Sequence, residues 1–155
     1  KYFLTFTHDQ SCGKCTFCRV GTGRMLEILT RFSKGTAVEG DLDELEELGR
    51  SVIDGSLCGL GKTAPNPVLT TIKYFRDEYL AHTRGICPAG KCPDLIRYHI
   101  TDSCIGCTLC ARECPVDAIA YTPYEKHVID NEICTKCDSC VQVCPVDAIE
   151  KQRNG

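Results

Sequence analysis

The sequence predicts a small α-helical bundle followed by a small α+β unit. Three observations carry that expectation. In the first half, apolar residues recur at helical spacing in three separate runs. From Cys104 onward one block is written twice: Cys104, Cys107, Cys110 and Cys114-Pro115 return as Cys134, Cys137, Cys140 and Cys144-Pro145. The six residues Cys-Pro-Val-Asp-Ala-Ile at 114–119 recur unchanged at 144–149, thirty residues later. Third, 14 of the 155 residues are cysteine. Four thiolates spaced C-x2-C-x2-C-x3-C suit a 4Fe-4S cluster, and two copies suit two.

Composition narrows the classes. There is no Trp, and the last third has few large apolar side chains, so metal rather than burial must hold it together. So many cysteines in a short chain mean either a secreted disulfide scaffold or a metal carrier. The close-set pairs favour metal, since adjacent thiols on one tight loop share an ion more readily than they form separate bridges. No run is long enough to span a bilayer and no signal peptide opens the chain, so the expected compartment is a reducing cytoplasm. A net charge of −3 argues against nucleic acid as a partner. The start at Lys1, in an aromatic run of Tyr2, Phe3 and Phe6, fits a segment of something longer.

Taken in order, residues 1–81 form the helical unit. Cys12, Cys15 and Cys18 give three ligands without a local fourth. Met25, Ile28, Leu29 and Phe32 then follow at i, i+3, i+4 and i+7, and Gly35 stops that helix. Asp41 and Glu44 have the D-x-x-E form of a capping box and open a second helix, with Leu42, Leu45, Leu48 and Val52 inward. The acidic residues Asp43, Glu44, Glu46 and Glu47 read as its solvated face. A third helix starts with Asn66 as cap and Pro67 at its first position, burying Val68, Ile72, Phe75 and Tyr79. Between the second and third lies Cys58, flanked by glycines, and it is the natural fourth ligand for the trio. The competing reading is an inert Cys58 and a zinc at the trio. Gly61-Lys62-Thr63 has the ending of a phosphate loop, but Ser56 stands where its first glycine belongs and no buried strand precedes it. Gly21-Thr22-Gly23 likewise starts a dinucleotide fingerprint that Leu26 breaks.

Ser11-Cys12-Gly13, Cys15, Cys18-Arg19, Gly21, then Cys58-Gly59-Leu60-Gly61 and Pro67-Val68 resemble the cluster domain of the NADH-oxidising flavoprotein subunit of respiratory complex I. That family usually has Pro where this chain has Phe17, and the ligands are unaffected. The resemblance implies that Cys12, Cys15, Cys18 and Cys58 hold a 4Fe-4S cluster fed by a flavin. It also implies FMN and NAD(P) sites in an upstream part not present in this sequence.

Twelve cysteines assigned to three clusters leave Cys87 and Cys92, in a junction spanning 82–98. His82, Cys87, Cys92 and His99 together form H-x4-C-x4-C-x6-H, a pattern for a structural zinc. Surface histidines, with Cys87 and Cys92 as free thiols or a redox-labile pair, are the competing reading. His8 and His127 have no such company and read as solvent-facing or satisfied structural residues.

Residues 99–155 then form a 2[4Fe-4S] bacterial ferredoxin-like unit. In such ferredoxins the fourth Cys of each run ligates the other cluster. One cluster therefore takes Cys104, Cys107, Cys110 and Cys144, and the other takes Cys134, Cys137, Cys140 and Cys114. Strand-like pieces at Tyr98–Thr101 and His127–Asp130 precede the two cysteine loops. No nucleophile stands beside a base, so the expected chemistry is electron transfer. A complex I-like cluster domain joined to a two-cluster ferredoxin resembles the beta, NAD(P)H-oxidising subunit of multimeric iron-only hydrogenases, some of them electron-bifurcating. Subunits of NAD-dependent formate dehydrogenases share the arrangement. The resemblance implies a relay between an upstream flavin, ferredoxin and a hydrogenase subunit. An independent ferredoxin-like carrier and a zinc-held interaction module are the alternatives.

Overall fold

The computed structural model describes residues 1–153. They divide into two compact units, one running to Pro88 and one starting at Ala89.

The first unit is helical: α1 (Tyr2–Asp9), a π-helical turn (Phe17–Gly21), α2 (Thr22–Lys34), α3 (Asp41–Gly55), the short α4 (Gly59–Thr63) and α5 (Asn66–Thr83). Met25, Ile28, Leu29 and Phe32 of α2 are buried, as their spacing predicts, together with Leu42, Leu45 and Val52 of α3 and Val68 and Ile72 of α5. Each such side chain contributes roughly 1.5–3 kcal/mol by leaving water. Gly35 ends α2 in the left-handed region at φ 70°, returning its N–H to the last turn. Gly49 lets α3 approach α5 closely, since a Cβ there would stand 3.0 Å from Leu69 Cδ2. Phe17 seats its side chain against Gly55 in the same way: a Cβ on Gly55 would lie 2.9 Å from Phe17 Cβ and nearer still to the ring.

Three expectations change here, and one further helix appears. The run at Tyr2, Phe3 and Phe6 is a helix, but only Leu4 reaches the core and those three aromatics are exposed. Asp41 does not cap α3. Gly40 holds that position, and the buried Asp41 carboxylate accepts instead from Val38 N at 2.9 Å and from Arg31 Nε at 3.0 Å, with Arg31 Nη2 as a further donor. Glu44 pairs with Arg24 at 3.0 Å rather than turning back to the helix start. At α5, Pro65 is the cap and Asn66 the first helical residue. Phe75 leaves the helical region (φ −130°, ψ 35°), and the kink turns it outward. Tyr79 still reaches the core edge-on to Phe32, with ring centroids 5.3 Å apart.

The second unit contains a short 3-10 turn (Pro93–Leu95), β1 (Ile96–Ile100), α6 (Leu109–Arg112), α7 (Ser139–Gln142) and β2 (Ile149–Arg153). β1 and β2 pair antiparallel, with Ile100 opposite Ile149 and Tyr98 opposite Lys151. The strand expected at His127–Asp130 shortens to one bridge between Ile119 and Ile129. The two halves nonetheless repeat each other in detail. Thr101 N bonds Ala148 O at 2.8 Å, and Asp130 N bonds Ala118 O at 2.8 Å. Positive φ recurs thirty residues apart at Gly106 and Lys136, at Thr108 and Asp138, and at Asp117 and Asp147. A non-glycine residue there is uncommon, so three matched pairs mean that one loop geometry is imposed twice. No helix among the described residues is long and apolar enough to cross a membrane.

Candidate metal centres

The doubled block builds two cavities. One is lined by Cys104, Cys107, Cys110 and Cys144; the other by Cys134, Cys137, Cys140 and Cys114. Each thus draws three cysteines from one half of the repeat and the fourth from the other. The loops earn this placement locally. Gly106 (φ 67°) lies against the chain at 124–125, where a Cβ would come within 2.7 Å of Tyr124 Cα and Glu125 N. After each fourth cysteine the chain folds back, and Ala118 N donates to Cys114 Sγ at 3.2 Å and Ala148 N to Cys144 Sγ at 3.3 Å.

The donor chemistry fits a cationic core. Burial, reinforced by the neighbouring Cys134 and Cys137 thiolates, pushes the Cys140 thiol up to about 11. Burial likewise raises Cys110, with Cys104 and Cys107 adding repulsion. Thiols so placed ionise together only around compensating positive charge. A single tetrahedral zinc, with bonds of about 2.3 Å, would hold its sulfurs about 3.8 Å apart. Among the described residues, the cluster cysteines form no group of three with ligand atoms within 4.8 Å of one another. Their wider setting suits a group larger than one ion.

In the helical unit, Cys18 is buried in the π-helical turn, and Ser11 Oγ stands 3.4 Å from its Sγ. Single π turns are frequent at functional sites. Gly61 brings the Cys58 loop against this turn, since a Cβ on Gly61 would lie 3.3 Å from Cys18 Cβ. Cys58 sits at the start of α4, where the N–H groups of Gly61 and Leu60 hold its thiol below its ordinary value. Cys12 is exposed and Cys15 half-buried on the loop ahead of the turn. Gly61-Lys62-Thr63 is part of α4 and follows no strand.

In the stretch 82–92, the ligand atoms of His82, Cys87 and Cys92 all lie within 4.8 Å of one another. His82 Nδ1 is 2.6 Å from the Glu78 carbonyl, so Nδ1 carries the proton. Metal-ligating histidines are oriented by such a bond. His99 is outside this group: β1 puts it on its exposed side, opposite Glu150. Strand alternation overrides the sequence spacing that pointed to it.

His127 is the residue sequence reasoning underrated. It is 1% exposed, its Nδ1 lies 3.7 Å from Cys104 Sγ, and its Nε2 has no partner among the described residues. His8 is satisfied, with Nδ1 3.0 Å from Thr22 Oγ1. The alternation around His127, buried at 127 and 129 and exposed at 128, was the available signal.

Two cysteine-walled cavities on a repeated α+β frame, with a further cysteine set on a helical frame, define an iron–sulfur-binding protein. Residues 1–82 match the NADH-ubiquinone oxidoreductase-F iron-sulfur binding region, and residues 98–151 match a 4Fe-4S dicluster domain. The chain belongs to the first of these families, whose region covers more than half of it. It is 48% identical over 129 residues to the NADP-reducing hydrogenase subunit HndC of Solidesulfovibrio fructosivorans, covering 82% of this chain and 26% of that subunit. It is 44% identical over 88 residues to the NADH-quinone oxidoreductase F protein of Mycobacterium bovis, covering 57% of this chain and 19% of that protein. The corresponding Streptomyces coelicolor protein is 39% identical over 80 residues, 52% of this chain and 18% of its own length. The chain therefore spans about a quarter or less of these relatives.

Proposed function

We propose that the chain is the electron-relay segment of an NAD(P)-linked hydrogenase-type complex, with three 4Fe-4S clusters. The carrying observation is that each cavity of the second unit is walled by three cysteines of one repeat and the fourth of the other. Cys12, Cys15, Cys18 and Cys58 hold the first cluster; Cys104, Cys107, Cys110 and Cys144 the second; Cys134, Cys137, Cys140 and Cys114 the third. When bound, such clusters accept and release single electrons at potentials set by charge, burial and hydrogen bonds to sulfur. The protein's part is to hold the thiolates, donate N–H groups to them from Ala118 and Ala148, and keep Cys110 and Cys140 out of water. His82, Cys87 and Cys92 would hold a structural zinc.

The match to HndC along both units supports the hydrogenase reading over the alternative of a formate dehydrogenase relay or an independent carrier. In that reading the partners are an upstream FMN and NAD(P) site, ferredoxin and a hydrogenase subunit, and the complex works in the cytoplasm, with electron bifurcation as one mode. Metal analysis of anaerobically purified protein is expected to give about twelve iron and one zinc per chain. Replacing Cys87 and Cys92 by Ser is expected to remove the zinc and leave the iron. Iron well below eight, or a reduced sample silent by EPR, would reject the relay. Co-purification of the native complex with flavoprotein and hydrogenase subunits checks its setting.

A further inference from the structure

The two cavities of the second unit are built by one repeated loop, yet the residues aimed at their sulfurs differ. The matched bonds Thr101 N to Ala148 O and Asp130 N to Ala118 O fix which positions correspond. Counting back three residues from each places Tyr98 and His127 at equivalent sites. Tyr98 lines the cavity of Cys134, Cys137, Cys140 and Cys114, while His127 lines that of Cys104, Cys107, Cys110 and Cys144. The Tyr98 hydroxyl donates to the Asp138 carboxylate, not to a sulfur. His127 instead turns Nδ1 to Cys104 Sγ at 3.7 Å.

The tautomer follows from what surrounds the ring. A ligating thiolate accepts hydrogen bonds and cannot donate one. With the proton on Nε2, a buried N–H would have no acceptor and a lone pair would face the sulfur. With the proton on Nδ1, only the Nε2 lone pair is left unmet. The second arrangement loses one interaction where the first loses two.

We propose that His127 donates its Nδ1–H to Cys104 Sγ and so raises the reduction potential of the centre held by Cys104, Cys107, Cys110 and Cys144. This rests on the cluster assignment above. One-electron reduction adds negative charge at the sulfurs, so a donor aimed at one of them favours the reduced form over the oxidised. Burial keeps water from competing for that bond. The other centre has a hydroxyl, Ser139 Oγ, 3.4 Å from Cys137 Sγ, but Cys137 is exposed and water dilutes the effect. It also stands beside the Asp138 carboxylate, which Lys151 Nζ pairs at 2.8 Å. The backbone donors at Ala118 and Ala148 are matched and cancel. His127 is thus a potential-setting residue that acts through a ligand.

The test is an EPR-monitored redox titration of the full chain with its clusters loaded, with iron measured on the same samples. His127→Leu is expected to lower one cluster's reduction equilibrium about tenfold, which for one electron is about 59 mV. The other potentials should stay in place, with iron unchanged. His127→Gln, which keeps an N–H donor, should recover most of the shift. Wild-type protein grown on 15N-histidine should show one weakly coupled imidazole nitrogen by pulsed EPR, absent in His127→Gln. Full iron with unmoved potentials in His127→Leu would overturn the proposal. So would wild-type protein without a coupled histidine nitrogen, a measurement that decides alone if the Leu variant loses iron. Wild-type protein that binds no iron would instead sink the cluster assignment itself.

Discussion

Gly61→Ala offers a sharp test of how the first cysteine set is held, because two effects of opposite sign act at one atom. Gly61 is in α4, and alanine there gains about 1 kcal/mol of helix propensity over glycine. The added methyl, however, would lie 2.6 Å from Ser56 Cβ and closer still to Ser56 Oγ. Ser56 has little room to yield. It is 3% exposed, and its hydroxyl is tied to Val52 O at 2.5 Å. On the other side stands Cys18 Cβ at 3.3 Å. Overpacking costs about 1–3 kcal/mol, and contacts this short place it in the upper part of that range, about 2–3 kcal/mol, so the clash outweighs the propensity gain and the expected net loss is about 1–2 kcal/mol. In a unit of this size each kcal/mol lowers the melting temperature by about 4–8 °C. The strain falls between Cys18 and the Cys58 loop, so iron should fall by about four per chain while the other eight remain. Gly59→Ala is the control, since nothing lies within 4 Å of the added methyl; it should melt at or slightly above wild type. Thermal melts and iron assays on the three proteins decide the matter. A Gly61→Ala protein with wild-type melting and full iron would refute the packing argument.

Cys144→Ser should perturb the centre of Cys104, Cys107 and Cys110, and Cys114→Ser that of Cys134, Cys137 and Cys140. Combining each with His127→Leu separates the cases: the His127 shift should change in Cys144→Ser and persist in Cys114→Ser, as read by EPR titration. Asp41→Asn removes a buried carboxylate held by Arg31 and Val38 N–H, and should cost about 1–2 kcal/mol at neutral pH. Burial alone would raise the Asp41 carboxyl, but the Arg31 and Val38 bonds outweigh it and hold it below its ordinary value. A depressed folded value means that the stabilisation is complete above the unfolded value near 3.9 and is lost as pH falls through the lower folded one. The stability gap between wild type and Asp41→Asn should therefore stay level from pH 7 to pH 5 and close below about pH 4 in denaturant melts.

What could be read from the chain and what could not divides along physical lines. The cysteine sets that line the two cavities were legible in the spacing and doubling of the block. α2 and the inner face of α3 were legible because their apolar residues recur at the helical period. α1 was not, since only Leu4 of its eight residues is buried and its aromatics point outward. Asp41 carries the signature of a cap, but Arg31 and Val38 N–H claim its carboxylate. β2, written Ile-Glu-Lys-Gln-Arg, shows no strand pattern until β1 pairs with it. His99 fitted a zinc spacing that strand alternation overrides. His127 escaped because its partner, Cys104, lies 23 residues away, and only the fold brings the two together.

The seating of Phe17 on Gly55 bears on how this family can diverge. The ring occupies the space that any side chain at 55 would need. A methyl at 55 is therefore penalised even without the aromatic ring, because any β-carbon at 17, proline's included, would stand 2.9 Å from it. The constraint rests on position 55: the ring at 17 can be exchanged for proline's, whereas glycine at 55 cannot be given up, and the seam between the π-helical turn and α3 tolerates drift on one side only.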